Sequence, residues 1–104
     1  MMDLDDMITK QTILLVDNNP QNINALSEIL RPYYKVQAAN NASAAFNIAS
    51  GQDKPDLILL DIMMPDIDGY AICKQLKIMP ETAEIPVIFV SGRSEIEDEK
   101  RGFA

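Results

Sequence analysis

Short apolar runs alternate with amphipathic stretches along this chain. Three mostly apolar runs, each too short for a helix and flanked by polar or turn residues, predict β-strands at Thr12–Val16, Leu57–Leu60 and Val87–Val90. A fourth strand is predicted at Tyr34–Ala38, where apolar and polar residues alternate as they do in a half-exposed edge strand.

The stretches between these runs have helical periodicity. Asn19 is a potential N-cap, Pro20 suits a first helical position, and Gly51 is a typical helix stop. The predicted apolar faces consist of Ile23, Leu26 and Leu30, of Ala42, Ala45, Phe46 and Ala49, and of Ile72, Leu76 and Met79. Asp68 is the expected cap of the third helix, and the polar segment Ser94–Phe103 predicts a fourth, weakly amphipathic one.

The predicted order of elements is βαβαβαβα, within a chain of 104 residues that suits one domain. Strict alternation of strands and helices predicts an α/β fold, in which helices cover both faces of a parallel sheet. The fully apolar strands are expected at the centre of the sheet, and the alternating strand at an edge.

Composition excludes several classes of function. A net charge of -7 disfavours nonspecific binding of nucleic acid, and no apolar run approaches the roughly 20 residues of a membrane span. The acidic N-terminus lacks the features of a secretory signal, and a single cysteine, Cys73, excludes an intrachain disulfide, so we expect a cytoplasmic protein. Without histidine, zinc sites and histidine-based catalysis are excluded, whereas oxygen-ligated Mg²⁺ is not.

A polar residue follows each of the three apolar strands. These residues are Asp17, Asp61 and Ser91. In open parallel sheets, ligands bind outside the carboxyl ends of the strands, so two carboxylates and a hydroxyl converge on one edge if these strands are neighbours. Each residue alone could simply cap the following turn, but three together favour a functional site.

These residues lie in motifs that resemble those of a known family. The stretches ILLVDNNPQN, LILLDIMMPDIDGY and IPVIFVSG are similar to the receiver domain of two-component response regulators. The family pattern D-x-x-M-P-x-x-D-G is matched by Asp61, Met64, Pro65, Asp68 and Gly69. We expect Pro65 and Gly69 to shape the loop after Asp61, because proline fixes φ and glycine permits backbone conformations closed to other residues. The resemblance extends from Thr12 to Ala104, leaving residues 1–11 as an N-terminal tail.

The resemblance implies a flavodoxin-like, doubly wound sheet with strand order 2-1-3-4, and a role in signal transduction rather than metabolic catalysis. Asp61 corresponds to the aspartate that accepts a phosphoryl group, and Ser91 to the switch hydroxyl that contacts this group. Asp17 and Asp61, with the backbone carbonyl of Met63, correspond to ligands of Mg²⁺. The implied partner is a sensor histidine kinase or a histidine phosphotransfer protein, and the implied output is a C-terminal domain.

The chain departs from the family pattern in two places. The acidic pair of the family reads Asp17-Asn18 here, so Asn18 could ligate a metal only through a neutral carboxamide, and we expect weak Mg²⁺ binding. The chain ends at Ala104, before the fifth strand and helix of the family, so the expected domain is incomplete. Apolar surface should then be exposed on the face of the first helix, and the fourth strand should have an open edge.

Other functions remain open on the sequence. A pseudo-receiver would keep the fold and act only through protein contacts, which Asn18 favours and the retained Asp17, Asp61 and Ser91 disfavour. A phosphohydrolase of the haloacid-dehalogenase type would require Asp-x-Asp, but Met63 stands at the second position. No G-x-G-x-x-G motif supports dinucleotide binding, and a homodimer is neither indicated nor excluded.

Overall fold

The computed structural model describes residues 11–62 and 69–90. Within these residues the chain forms four strands and three helices in strict alternation. The elements are β1 (Thr12–Val16), α1 (Pro20–Leu30), β2 (Lys35–Ala39), α2 (Ala42–Ala49), β3 (Leu57–Asp61), α3 (Gly69–Ile78) and β4 (Val87–Val90). The helix predicted at Ser94–Phe103, and the cap predicted at Asp68, lie outside the described residues.

The four strands form one parallel sheet with the order β2-β1-β3-β4. This arrangement confirms the predicted flavodoxin-like topology. The apolar strands β1 and β3 lie at its centre, and β2 lies at an edge as predicted. β4 is also apolar and, among the described strands, it pairs only with β3.

Three strand boundaries differ from the prediction. β2 begins at Lys35 rather than Tyr34, because the backbone N–H of Tyr34 still donates to the carbonyl of Leu30 at 2.8 Å, in the turn that ends α1. β2 ends at Ala39 rather than Ala38, and Ala39 is buried whereas Ala38 is exposed. β3 continues one residue further than predicted, because Asp61 pairs with Val90.

The helix starts follow the local sequence. The side chain of Asn19 caps α1 by accepting from the backbone N–H of Gln21 at 2.9 Å, and Pro20 occupies the first turn, as predicted. Asn41 caps α2 in the same way by accepting from the N–H of Ala44 at 2.8 Å, a cap that the sequence analysis did not identify. Both caps satisfy backbone donors that would otherwise lack partners.

The main core lies between the sheet and helices α2 and α3. Its buried apolar residues come from the sheet, from α2 and α3, and from the loop before β4: Leu14, Val16, Ala39, Ala45, Ala49, Ile58, Leu60, Ile72, Leu76 and Ile85. Complete burial of a large aliphatic side chain contributes about 1.5–3 kcal/mol, so these contacts dominate the stability of the sheet. Cys73 packs against this core as a free thiol.

The opposite face of the sheet, which carries α1, is less completely covered. Ser27 is the buried residue of α1, and the predicted apolar face of this helix is only half-buried. Ile88 projects from β4 on this side by strand alternation and is 50% exposed. The expected exposure of apolar surface on this face is therefore confirmed for the described residues. No helix in the described ranges is long and apolar enough to cross a bilayer.

The turn after α3 is closed by a buried hydroxyl. Thr82 is 1% exposed, and its hydroxyl donates to the carbonyl of Leu76 at 2.5 Å, in the last turn of the helix. We expect Thr82→Val to lower the free energy of unfolding by about 1–3 kcal/mol, because the substitution keeps the volume but leaves a buried carbonyl without its donor. Denaturant unfolding of the two proteins measures the difference.

Thr82→Ala separates the contribution of the hydroxyl from that of packing. If the hydrogen bond contributes to stability, Thr82→Val should lose a large share of the free energy of unfolding that Thr82→Ala loses. A valine variant as stable as the wild-type protein would show that the hydroxyl contributes nothing.

Candidate functional site

Two buried carboxylates lie at the carboxyl ends of adjacent parallel strands. Asp17 directly follows β1, Asp61 is the last residue of β3, and the residues before them, Val16 and Leu60, are partners in the register of the sheet. Strand alternation therefore places both side chains on the same side at the same level. Asp17 is 4% and Asp61 3% exposed. The structure thus brings together the two acidic residues that the sequence assigned to one site.

The Asp17 side chain is held by the turn that leads into α1. Its Oδ1 accepts a hydrogen bond from the backbone N–H of Asn19 at 2.9 Å, and its Oδ2 accepts one from the Nδ2 of Asn22 at 3.2 Å. The backbone N–H of Asp17 donates to the carbonyl of Ala39 at 3.0 Å, which ties the end of β1 to β2. Both carboxylate donors come from the start of a helix, where the macrodipole also favours negative charge.

The backbone around Asp61 is packed against the start of α3. The N–H of Gly69 donates to the carbonyl of Ile62 at 3.2 Å. A Cβ at Gly69 would lie 2.6 Å from the Cα of Ile62 and 2.7 Å from the carbonyl oxygen of Asp61. Gly69 is therefore required because the two backbones approach closely, and the structure fixes the position of Asp61 through this contact.

This finding corrects the reason first given for Gly69. The sequence suggested a glycine that permits backbone conformations closed to other residues. The described glycines have no positive φ, so Gly69 does not adopt a left-handed conformation. What the position excludes is a side chain, because only hydrogen fits between α3 and the end of β3.

Only one of the other predicted site residues lies within the described part of the chain. It is Asn18, which follows Asp17 after the carboxyl end of β1 and is exposed. The described residues do not include Met63, Met64, Pro65, Asp68 or Ser91. Asp61 pairs with Val90, the residue that precedes Ser91 in the chain. Asn22 is a polar contact of the site that sequence analysis missed, because no motif or apolar pattern marks it.

The donor set fits a hard divalent cation. Two buried carboxylates side by side repel each other, and a cation between them would offset that repulsion. Asp17 and Asp61 supply the oxygen ligands that Mg²⁺ prefers. Within residues 11–62 and 69–90, no group of three or more His, Cys, Asp or Glu side chains could hold a metal. Carbonyl oxygens, the Asn18 amide and water are further oxygen ligands that Mg²⁺ accepts.

Comparison with known protein families gives one match that covers most of the chain. The model of the response regulator receiver domain matches residues 13–104. Among solved structures, the N-terminal domain of a response regulator receiver protein from Methanoculleus marisnigri JR1 superposes with a TM-score of 0.73 at 31% identity. The similarity covers 88% of this chain and 76% of that one.

Curated relatives are longer proteins. A probable cyclic di-GMP phosphodiesterase of Vibrio cholerae is 44% identical over 102 residues, which are 98% of this chain and 23% of the relative. Response regulator PleD of Caulobacter vibrioides is 40% identical over 80 residues, which are 76% of this chain and 17% of that protein. The chain therefore spans about a fifth of the length of these two relatives.

Proposed function

Because the chain belongs to the family of response regulator receiver domains, we propose that it is a phosphorelay receiver whose phosphoacceptor is Asp61. The observation that carries this proposal is the pair of buried carboxylates at the ends of adjacent parallel strands, Asp17 and Asp61. The close contact of Gly69 with the backbone of Asp61 supports it, because a nucleophile must be held in a fixed position to react.

The proposed reaction is a transfer between two protein side chains. A carboxylate oxygen of Asp61 attacks the phosphorus of a phosphohistidine in the partner, the P–N bond breaks, and an acyl phosphate forms on Asp61. Nucleophile and phosphoryl group are both negative, and a bound Mg²⁺ would supply the charge compensation that the reaction needs. The carboxylate of Asp17 is held by two hydrogen bonds and would serve as a fixed cation ligand beside the reacting carboxylate.

The remaining roles follow the family pattern. We assign Met63 the carbonyl that completes the cation site, and Ser91 the hydroxyl that binds the phosphoryl group and signals its presence. Asn18 stands where the family carries a second acid, so the site has one negative charge fewer and should bind Mg²⁺ weakly.

The proposed domain is residues 12–104, preceded by a tail at residues 1–11. Its partner is a histidine kinase or a phosphotransfer protein in the cytoplasm, and it controls an output region rather than turning over a metabolite itself. The phosphodiesterase name of the Vibrio cholerae relative describes a protein of which this chain covers 23%, so that activity is not assigned here.

Phosphoryl uptake tests the proposal. The protein is incubated with acetyl phosphate, with Mg²⁺ or with a chelator, and its intact mass is followed over time. A phosphoryl adduct that forms only with Mg²⁺ is the expected result. Absence of an adduct under all conditions, and with a partner kinase, would instead identify a pseudo-receiver, and steady hydrolysis of a generic phosphate monoester would identify a phosphohydrolase.

Asn18→Asp is expected to tighten Mg²⁺ binding by roughly tenfold or more, because the substitution adds a charge next to a divalent ion. It should also lower the stability of the cation-free protein through repulsion from Asp17. Calorimetric titration with Mg²⁺ measures the affinity. Asn47→Asp, which adds the same charge at an exposed position of α2, is the control and should leave the affinity unchanged. Equal affinities for all three proteins would show that residue 18 is not near the cation.

A further inference from the structure

The Asp17 carboxylate accepts a hydrogen bond on each of its two oxygens. Oδ1 is held by a backbone donor, the N–H of Asn19, at 2.9 Å. Oδ2 is held by a side-chain donor, the Nδ2 of Asn22, at 3.2 Å. Asp17 is 4% exposed, so water competes little with these two bonds.

The two donors together fix the plane of the carboxylate. A single hydrogen bond would leave the group able to rotate about its last torsion, whereas donors on both oxygens define one orientation. Asn22 is itself half-buried and lies in the first turn of α1. Each carboxylate oxygen has two acceptor positions, so both bonds leave acceptor capacity for a cation.

We propose that Asn22 is a positioning residue of the cation site, which orients the carboxylate of Asp17 as a ligand through Oδ2. This inference rests on the proposed function, because it requires Asp17 to ligate Mg²⁺. The effect of Asn22 on Mg²⁺ affinity should be larger here than in a site with an acid at position 18. With few charged ligands, the affinity depends more on how well each one is oriented. Groups that hold metal ligands in place typically affect metal affinity by one to two orders of magnitude.

Asn22→Ala is expected to weaken Mg²⁺ binding by roughly tenfold. Alanine is the best helix former, so the variant should keep α1 intact. Calorimetric titration with Mg²⁺ compares it with the wild-type protein and with Asn24→Ala, which removes an exposed asparagine from the same helix and should not change the affinity. Asn22→Leu, which keeps the approximate shape of the side chain without its donor, should lose affinity as the alanine variant does.

A second readout separates positioning from a purely structural role. The melting temperature of each protein is measured with a chelator and at a fixed Mg²⁺ concentration. If Asn22 only stabilised the fold, its loss would lower both melting temperatures equally and leave the gain from Mg²⁺ unchanged. Positioning predicts a smaller gain from Mg²⁺ in Asn22→Ala than in the wild-type protein.

The outcomes distinguish this inference from the proposed function. Wild-type affinity in both Asn22 variants, or the same loss of affinity in Asn24→Ala, would overturn the role of Asn22 and leave the receiver function standing. A wild-type protein that binds no Mg²⁺ would overturn both.

Discussion

Replacing Asp61 by asparagine is expected to abolish phosphoryl uptake from acetyl phosphate while the fold is retained. The substitution keeps the shape of the side chain but removes the negative charge and the nucleophilic oxygen of the carboxylate. It also removes a charged ligand from the cation site. Asp61 is 3% exposed, and asparagine has nearly the same volume as aspartate, so the substitution should fit the buried position.

Intact-mass measurement after incubation with acetyl phosphate and Mg²⁺ checks this result. The matched control is Asp53→Asn, which removes an exposed carboxylate from the loop between α2 and β3 and should leave uptake as fast as in the wild-type protein. Uptake by Asp61→Asn at the wild-type rate would show that the phosphoryl group is accepted elsewhere.

Gly69→Ala is expected to reduce the free energy of unfolding by about 1–3 kcal/mol or more, because a methyl group would be forced into a space that has no room for it. The atoms in the way are the Cα of Ile62 and the carbonyl oxygen of Asp61, at 2.6 and 2.7 Å from the added carbon. Both belong to the backbone and cannot turn aside as a flexible side chain could. A typical domain has only about 5–15 kcal/mol of stability, so the loss is a large fraction of the total.

Denaturant unfolding compares Gly69→Ala with Gly51→Ala, which adds the same methyl group after α2. There the nearest contact is the carbonyl oxygen of Asn47 at 3.1 Å, so a small adjustment suffices and a much smaller effect is expected. Equal stability of the two variants would show that the backbone at Gly69 does not lie as close to Ile62 and Asp61 as the distances in the structure indicate. If Gly69→Ala still folds, it should also accept phosphoryl groups more slowly than the wild-type protein, because α3 would displace Asp61.

The order and type of the elements could be predicted because burial dictates the apolar pattern. Runs such as Leu57–Leu60 are apolar on both faces of the strand, since helices cover both sides of a parallel sheet. The end of β1 and the end of β3 could be predicted as the site for the same reason, because a carboxylate directly after such a run marks where the strand leaves the core. Hydrophobic periodicity therefore placed Asp17 and Asp61 at strand ends, and the strand order implied by the family resemblance placed those ends side by side.

Hydrophobic periodicity could not predict features that depend on local hydrogen bonds or on close contacts in the folded chain. The start of β2 was placed one residue early because the backbone of Tyr34 remains bonded to α1, which no apolar pattern reports. Asn22 was missed because its role depends on how the turn after Asp17 folds back, not on residue type alone. Gly69 was identified, but for the wrong reason, since the distance between two backbones can be measured only in the folded chain.

Chemical mapping of the phosphoryl group tests the assignment of Asp61 most directly. The phosphorylated protein is treated with borohydride, which reduces an acyl phosphate and converts a phosphorylated aspartate to homoserine, and the modified peptide is sequenced by mass spectrometry. The account predicts homoserine at position 61 and at no other position. Modification of Asp17, or of another carboxylate in the same stretch of sequence such as Asp66 or Asp68, with Asp61 unchanged, would contradict it.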